Sequence, residues 1–259
     1  MKFFNPVALL FIAGAAAQWS AYAASAPSAS SVAEGQKLAA EIRSRVPEEN
    51  MEVNGVLVVR NSEGKRTRVS FHYQVLLGDG GWKCIYETRP SEAAPQERLE
   101  VVRLPEQPNR YIRSIAANPP GQTGLSETLA GDQAMTPFAG SDFWLADLGL
   151  EFLHWPQQRI VEEARIKMRK GRPCRVLESV NPQPGAKGYT RVRSWIDTQT
   201  GGVILAEAYG PDNKLVKEFE IGGLVKVNGQ YELKNMEMYN AESDTQTTLE
   251  FKYQRKSAD

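Results

Sequence analysis

The chain has 259 residues and a formal net charge of +0, because 31 basic side chains balance 31 acidic ones. This balance gives no electrostatic reason for the protein to bind nucleic acid or an anionic membrane surface. The length suits one large β-domain with a substantial core, although two small domains are possible on length alone.

The N-terminus has the pattern of a secretory signal. Lys2 precedes an apolar run from Val7 to Ala17, and Ala21 and Ala23 occupy the small-residue positions of a cleavage site. We therefore predict a signal peptide over residues 1–23, cleaved after Ala23, and export to the periplasm. No cysteine follows the cut to carry a lipid, and no later apolar run approaches the ~20 residues that span a bilayer. We expect the exported protein to be soluble and not membrane-spanning.

Residues 24–31 are rich in Ser, Ala and Pro and are predicted to be a linker, followed by one β-domain over residues 32–256. At the start of this domain, Leu38, Ala39, Ile42 and Val46 lie on one face of a segment that ends at Pro47. This spacing predicts an N-terminal amphipathic helix.

From Glu52 onward the apolar period changes to two, which indicates half-buried antiparallel strands. Val69, Phe71, Tyr73 and Val75 alternate with polar residues between the turn sequences NSEG and GDGG. Short turns with Gly, Pro or Asn separate further predicted strands at 82–88, 98–104, 110–115, 158–168, 172–180, 189–197, 203–209, 214–227, 230–240 and 245–254. The segment 158–168 also fits a helix, and a change of apolar phase predicts a β-bulge near Asn235.

Cys84 and Cys174 are the two cysteines of the chain, and each falls in a predicted strand. In an oxidising compartment they could form a disulfide, which would stabilise the fold by about 4 kcal/mol in the chain-entropy description. The alternative is that each is a small buried hydrophobe in a separate strand. The sequence leaves both possibilities open.

The central insert contains the sequence PFAGSDFWLADL at residues 137–148. Pro137 and Gly140 interrupt the chain, and Ser141 or Asp142 can accept hydrogen bonds from free backbone amides as a helix cap. An apolar stripe at helical spacing follows, formed by Phe143, Trp144, Leu145 and Leu148. This pattern predicts a short capped helix that lies on an apolar surface.

About eleven or twelve strands with one apolar face must curl, split into a sandwich or close, because strand twist accumulates across a sheet. Two helical segments are available as cover. We therefore predict a mainly β fold, a large curved antiparallel sheet or unclosed β-barrel, with the N-terminal helix and the short central helix as a lid. Incomplete filling would leave an apolar hollow suited to an aliphatic ligand.

The sequence shows no pattern of an enzyme. It lacks a G-x-S-x-G elbow, and the α/β alternation that carries such elbows is missing. Neither His72 nor His154 has a second histidine or a cysteine at metal-ligand spacing. We therefore predict no catalytic residue, no metal and no cofactor.

FAGSDFWLADL resembles the F-x-G-S-D-F stretch, followed by an acidic residue and Leu, of the outer-membrane lipoprotein-sorting proteins, the LolA-like periplasmic carriers. The segments GRPCRVLES, YTRVRSWID and YGPDNKLVKEFE follow in the order of that family. The resemblance covers most of residues 50–256, with specific motifs only in the second half. The family's lid-latching arginine has only a weak candidate here, Arg89. The lid and motif residues that the resemblance implies are Gly140, Ser141, Asp142, Phe143, Trp144, Asp147 and Leu148.

The resemblance implies a carrier that shields the acyl chains of a lipoprotein or another lipid during transfer toward the outer membrane. An inner-membrane transporter and an outer-membrane acceptor would be its partners. The inward aromatic residues are predicted to line the hollow: Phe71, Tyr73, Trp82, Tyr86, Phe251 and Tyr253. For each of these residues, packing in an ordinary closed core is the alternative. The alternative function is a cell-envelope binding module that docks a protein partner through its sheet edge or lid.

Overall fold

The structure, a computed structural model, describes residues 27–90, 95–117, 124–161, 166–185, 188–227 and 230–253. The predicted signal peptide and its cleavage site lie outside these residues. One antiparallel sheet of 14 strands dominates the described part, and its strand path does not close. The prediction of a mainly β fold with an unclosed, curved sheet is confirmed.

Helix α1 spans Ala29–Arg43. The strands of the first half are β1 Met51–Arg60, β2 Arg66–Gly78, β3 Gly81–Thr88, β4 Glu97–Arg103, β5 Arg110–Ile115 and β6 Leu125–Leu129. Helix α2, Leu145–Gly149, lies in the insert between two short 3-10 turns, Gly131–Ala134 and Glu151–His154. The strands of the second half are β7 Gln157–Ile160, β8 Lys167–Arg169, β9 Arg172–Val180, β10 Arg191–Asp197, β11 Val203–Tyr209, β12 Leu215–Val227, β13 Gln230–Asn240 and β14 Thr245–Lys252.

The sheet consists of two meanders that meet in its centre. The strand order is β6-β5-β4-β3-β2-β1-β14-β13-β12-β11-β10-β9-β7, and β8 pairs with β9. The first and last strands of the domain pair where Leu57 lies opposite Leu249. The sheet has more strands than predicted for two reasons. Strand β6 was not predicted, and the single strand predicted over 158–168 is divided into β7 and β8. The insert crosses from one meander to the other.

Helix α1 covers the edge strand β7. The Ser28 hydroxyl accepts a hydrogen bond from the Ser31 amide at 3.1 Å, so the helix begins at Ala29, inside the segment 24–31 that was predicted to be a linker. At Gly35 a Cβ atom would lie 2.3 Å from the Cα of Arg159 in β7, so only glycine allows this approach. The helix thereby shields a strand edge that would otherwise be open to pairing.

The main core lies on the inner face of the sheet, under α1 and the insert, and Leu57, Leu99, Leu177 and Leu249 are at most 1% exposed there. Cys84 belongs to this core. Cys174 belongs instead to a smaller cluster with Val176, Trp195, Ile204 and Ile221. Cys174 and Leu177 are three residues apart in one strand, so Cys174 points to the opposite face of the sheet.

Both cysteines are therefore buried and free, and the disulfide that the sequence allowed is not formed. The physical reason is the sheet itself, because side chains on opposite faces cannot bring their sulfur atoms within bonding distance. The alternative prediction, two small buried hydrophobes in separate strands, is what the structure shows.

The predicted β-bulge is confirmed: Gly222 is an extra residue in β12, and Lys234, next to Asn235, is an extra residue in β13. The register shifts between Ile221 and Gly223 and again between Gly223 and Leu224. A Cβ atom on Gly222 would lie 2.0 Å from the Asn235 side chain, so glycine permits the close contact. The bulge changes which side chains of β12 and β13 face inward.

Candidate functional site

The insert lies against the inner face of the sheet, and its helix starts later than the sequence suggested. Trp144 is the N-cap residue of α2, and its backbone N–H donates to Asp147 Oδ2 at 2.8 Å. The prediction that Ser141 or Asp142 caps the helix is wrong. The Ser141 hydroxyl accepts a hydrogen bond from the Phe143 amide at 3.2 Å within the preceding turn.

Asp142 joins the insert to β14. Its carboxylate accepts hydrogen bonds from Thr245 Oγ1 at 2.5 Å and Thr247 Oγ1 at 2.8 Å, and its own amide donates to Thr247 Oγ1 at 2.9 Å. Thr247 is fully buried. Because unpaired buried polar groups are costly, this reciprocal pairing holds the turn in one position over the sheet.

A second connection fastens the same turn to β4. The Ala139 amide donates to Glu97 Oε2 at 3.0 Å, and Arg113 Nε donates to Glu97 Oε1 at 2.8 Å. Ala139 and Gly140 have φ values of 49° and 65°, so the chain reverses sharply at this point. The turn is thus tied to both meanders of the sheet.

Asp147 fastens α2 to the second half of the sheet. Lys217 of β12 is 1% exposed, and its Nζ lies 3.3 Å from Asp147 Oδ2 and 3.6 Å from the centre of the Trp144 ring. The Tyr189 hydroxyl donates to Asp147 Oδ1 at 2.9 Å, and the Tyr189 ring stacks on Trp144 at 4.7 Å. Four residues therefore form one buried cluster of charges and aromatic rings.

Burial is the main cause of the pKa shifts of Lys217 and Tyr189 in this cluster. It lowers the pKa of Lys217, and the nearby Asp147 carboxylate opposes that shift. Burial also raises the pKa of Tyr189 well above its usual value, and Asp147 adds to that effect. The Tyr189 hydroxyl therefore stays protonated near neutral pH and remains a hydrogen-bond donor.

Side chains from α1 and from the end of β4 and the turn after it hold the C-terminal end of the insert by donating hydrogen bonds to its backbone carbonyl groups. The Gly149 carbonyl accepts hydrogen bonds from Arg103 Nη2 at 2.7 Å and from Asn109 Nδ2 at 2.9 Å. The Leu153 carbonyl accepts a hydrogen bond from Arg43 of α1. Arg89, the weak sequence candidate for this role, donates to Asn54 at 3.3 Å instead. Arg103 thus holds the insert from the end of β4.

A cavity of about 730 Å³ lies beside the insert, over the second half of the sheet. Its volume is within the range of about 300–1,000 Å³ that is typical of ligand pockets. Most of its wall is aliphatic or aromatic, and its polar contributors are Asp147, Arg172 and Thr200. Leu224 and Tyr231 in the wall are 39% and 73% exposed, so they mark the opening of the cavity to solvent.

The structure brings one of the six predicted lining aromatics, Tyr86, to this cavity. Three of the others, Phe71, Tyr73 and Phe251, pack with Tyr86 on β2, β3 and β14. The ring centres lie 4.7 Å apart for Tyr73 and Tyr86 and 6.0 Å apart for Phe71 and Phe251. Tyr253 continues this group, with its ring centre 6.3 Å from that of Phe251. Trp82 lies at the start of β3, under Arg103.

Three residues of the lid motif also reach the cavity: Phe143, Asp147 and Leu148. Half of the lining residues come from β11, β12 and β13, and they were not singled out from the sequence: Val203, Ile204, Phe219, Ile221, Leu224, Tyr231, Leu233 and Met236. The signal was present in the alternation of these strands and in the phase change at the bulge. What was missing was a reason to prefer their aliphatic side chains over the aromatic ones.

No helix in the described residues is long and apolar enough to cross a membrane. Among the same residues, no three His, Cys, Asp or Glu side chains are grouped so that they could hold a metal ion.

A family model described as "Uncharacterized protein" matches residues 122–257, and a comparison with curated proteins finds no match. Among solved structures, a DUF1329 family protein from Desulfovibrio piger ATCC 29098 is similar with a TM-score of 0.67 and 17% identity, over 88% of this chain and 94% of that one. A proposed outer-membrane lipoprotein-sorting protein domain from Vibrio parahaemolyticus has a TM-score of 0.68 and 14% identity, over 85% and 91% of the two chains.

A LolA superfamily protein from Nitrosomonas europaea is similar with a TM-score of 0.56 and 14% identity, over 88% of this chain and 95% of that one. At such identities the likeness concerns the fold, and it confirms the resemblance that the GSDF segment indicated. The chain therefore belongs to this family of uncharacterized proteins, and its fold is that of the LolA-like proteins.

Proposed function

We propose that the protein is a periplasmic carrier that shields the acyl chains of a lipoprotein or another lipid in the cavity beside the insert. The observation that carries this proposal is the cavity of about 730 Å³ with its mainly apolar wall. Each methylene group exposed to water costs about 0.8 kcal/mol, so an acyl chain of about 16 carbons would cost roughly 13 kcal/mol to expose. Such a lipid needs a protein cover to cross an aqueous compartment.

The polar groups of the site support binding rather than catalysis. Asp142 is paired with two threonines, and Asp147 is engaged by Lys217, Tyr189 and the Trp144 amide. These carboxylates hold the insert in place over the sheet, and a carrier needs no more chemistry than that. Apolar area and a cover that can give way to ligand are sufficient.

The predicted signal peptide and the likeness to a lipoprotein-sorting domain support a periplasmic location. A carrier in that compartment would receive its cargo from an inner-membrane transporter and deliver it to an outer-membrane acceptor. The packed aromatic residues of β2, β3 and β14 would then stabilise the wall of the carrier, and the aliphatic residues of β11–β13 would contact the acyl chains.

Two leucines of nearly equal exposure provide a matched test. Leu224 is 39% exposed and lines the cavity, whereas Leu77 is 38% exposed and lies elsewhere, on β2. We expect Leu224→Glu to weaken binding of a fluorescent fatty-acyl probe by about tenfold or more, because a carboxylate at the cavity wall must be desolvated when the chain enters. Leu77→Glu should leave probe binding unchanged.

Native mass spectrometry of the protein purified from a periplasmic extract would then identify the cargo. Bound lipid or lipoprotein is the expected result. Equal probe affinities in Leu224→Glu and Leu77→Glu, or one stoichiometric protein partner without lipid, would contradict the carrier and favour a protein-binding module.

A further inference from the structure

A second cavity, of about 470 Å³, lies where α1 ends, beside the turn between β4 and β5. Arg43 reaches it from α1, Trp82 from β3, Arg103 from β4 and His154 from the end of the insert. It has no lining residue in common with the 730 Å³ cavity. A ligand here would therefore contact different side chains from an acyl chain in the larger cavity.

The two guanidinium groups of this second cavity donate to backbone carbonyls, Arg43 to Leu153 and Arg103 to Gly149. Within the described residues, neither forms an ion pair with a carboxylate. Glu106 is the one acidic residue in the cavity wall, and it lies in an exposed turn. The cavity therefore concentrates positive charge that carbonyl oxygens compensate only in part.

Glu151 is the buried carboxylate next to this region. It accepts hydrogen bonds from the Tyr111 hydroxyl at 2.8 Å and from Asn109 at 3.4 Å. Burial raises the pKa of Glu151. The hydrogen bonds from Tyr111 and Asn109 oppose that shift, and the positive charge of Arg103 opposes it to a smaller extent. Glu151 therefore has partners of its own and does not bind the guanidinium of Arg103 directly.

Two nitrogen atoms of the cavity residues have unused hydrogen-bonding capacity. Arg103 Nε and His154 Nε2 are buried and, within the described part of the chain, have no hydrogen-bond partner. Buried polar atoms are rarely left in this state, and each one calls for a ligand or another explanation. Burial, with the positive charges of Arg43 and Arg103, lowers the pKa of His154 to about 4. His154 is thus a neutral imidazole near pH 7 that can donate from one nitrogen.

We propose that this cavity binds a phosphate-type anion, carried by a phospholipid head group or by a small phosphorylated molecule. Guanidinium groups recognise phosphate oxygens through paired, charge-assisted hydrogen bonds, and the side chains of Arg43 and Arg103 both line this cavity. Val46, which is 60% exposed, and Trp82 supply apolar surface in the same wall. This surface fits a head group that continues into an acyl stem.

Calorimetric titration with inorganic phosphate tests the anion site directly, with Arg43→Gln as the main variant. Arg66→Gln is its matched control, because Arg66 is an exposed arginine on β2 outside the cavity and its loss changes the net charge equally. We expect the Arg43→Gln variant to bind phosphate about tenfold more weakly, from the loss of a charge-assisted hydrogen bond, and Arg66→Gln to bind normally. Thermal unfolding of both variants checks that each one folds.

A second measurement does not depend on a charge change. The chain has two histidines, so His72→Gln leaves His154 as the one imidazole seen by NMR. Phosphate in the cavity should raise the pKa of His154, because an anion favours the imidazolium form. An unchanged His154 titration at saturating phosphate would overturn the proposal.

Vesicles distinguish the two sources of the anion. Binding to vesicles of phosphatidylglycerol mixed with phosphatidylcholine, and not to phosphatidylcholine alone, would identify a lipid head group if free phosphate competes for it. Phosphate binding without vesicle binding would identify a small phosphorylated molecule. Equal binding of both probes by Arg43→Gln and Arg66→Gln, or binding of neither probe, would refute the site. Acyl-probe binding in the larger cavity should be the same in all variants.

Discussion

Removal of the Asp147 carboxylate should destabilise the protein strongly. Lys217 is 1% exposed, and Asp147 is the carboxylate to which its ammonium group is paired. In Asp147→Ala the buried ammonium would keep the Trp144 and Tyr189 rings, at 3.6 Å and 5.6 Å from the ring centres, and the weaker electrostatic influence of Asp142 and Glu242, but no paired carboxylate. Loss of one partner from a buried pair costs about 3–5 kcal/mol, because the other charge stays desolvated. For a domain of this size that corresponds to a decrease in Tm of roughly 6–20 °C.

Removal of the Lys217 ammonium group should lower the free energy of unfolding less than removal of the Asp147 carboxylate. In Lys217→Met, Asp147 keeps hydrogen bonds from the Tyr189 hydroxyl and the Trp144 amide, and its side chain is 10% exposed to solvent. The carboxylate therefore remains solvated by donors when the ammonium is removed. We expect Asp147→Leu with Lys217→Met to recover most of the stability that Asp147→Ala loses, because a neutral pair leaves no buried charge.

Urea unfolding of Asp147→Ala, Asp147→Leu, Lys217→Met and the double variant measures these free energies. The double-mutant cycle formed by Asp147→Leu, Lys217→Met and their combination isolates the coupling between the two residues. The expected order of stability is wild type first, then Lys217→Met, then Asp147→Ala. The reasoning would be refuted if Asp147→Ala lost less stability than Lys217→Met, or if the two effects were additive.

Two further predictions concern packing and pH. A Cβ atom on Gly149 would lie 2.0 Å from the buried Tyr111 hydroxyl oxygen, so Gly149→Ala should lower the free energy of unfolding by about 1–3 kcal/mol. Gly78→Ala is the control in the same urea experiment, because its nearest atom would be 3.9 Å away. Burial alone would raise the pKa of Glu178, but hydrogen bonds from three arginines outweigh this and lower it below 4.5: Arg193, Arg159 and Arg191. These pairs stabilise the fold above pH 4.5 and lose their effect as the pH falls through the lowered pKa. Unfolding measured against pH should therefore show a weaker acid dependence in Glu178→Gln, and an unchanged acid limb would contradict the assignment.

The periodic elements could be predicted from the sequence because their signal is local. Alternation in β2 and β14 and the apolar face of α1 each follow from the side-chain period of a strand or a helix. Strand β6 was missed because it is an edge strand and three of its five side chains are exposed, so its apolar alternation is weak. The segment FAGSDFWLADL correctly indicated the fold through resemblance, although α2 begins after Trp144 and not after Asp142.

The sequence by itself predicted a signal peptide, a mainly β fold with a curved and unclosed sheet, and an insert between the two halves of the sheet. Only the tertiary structure decided where the interior stays open. Aromatic rings from β2, β3 and β14 fill the space over these strands, whereas side chains from β11–β13, most of them aliphatic, leave the cavity. The burial of Lys217 beneath Trp144 and the separation of Cys84 from Cys174 were also decided only by the tertiary structure. Strand alternation specifies the face on which a side chain lies, but its packing partners across the sheet are distant in sequence, and they decide whether the space is filled.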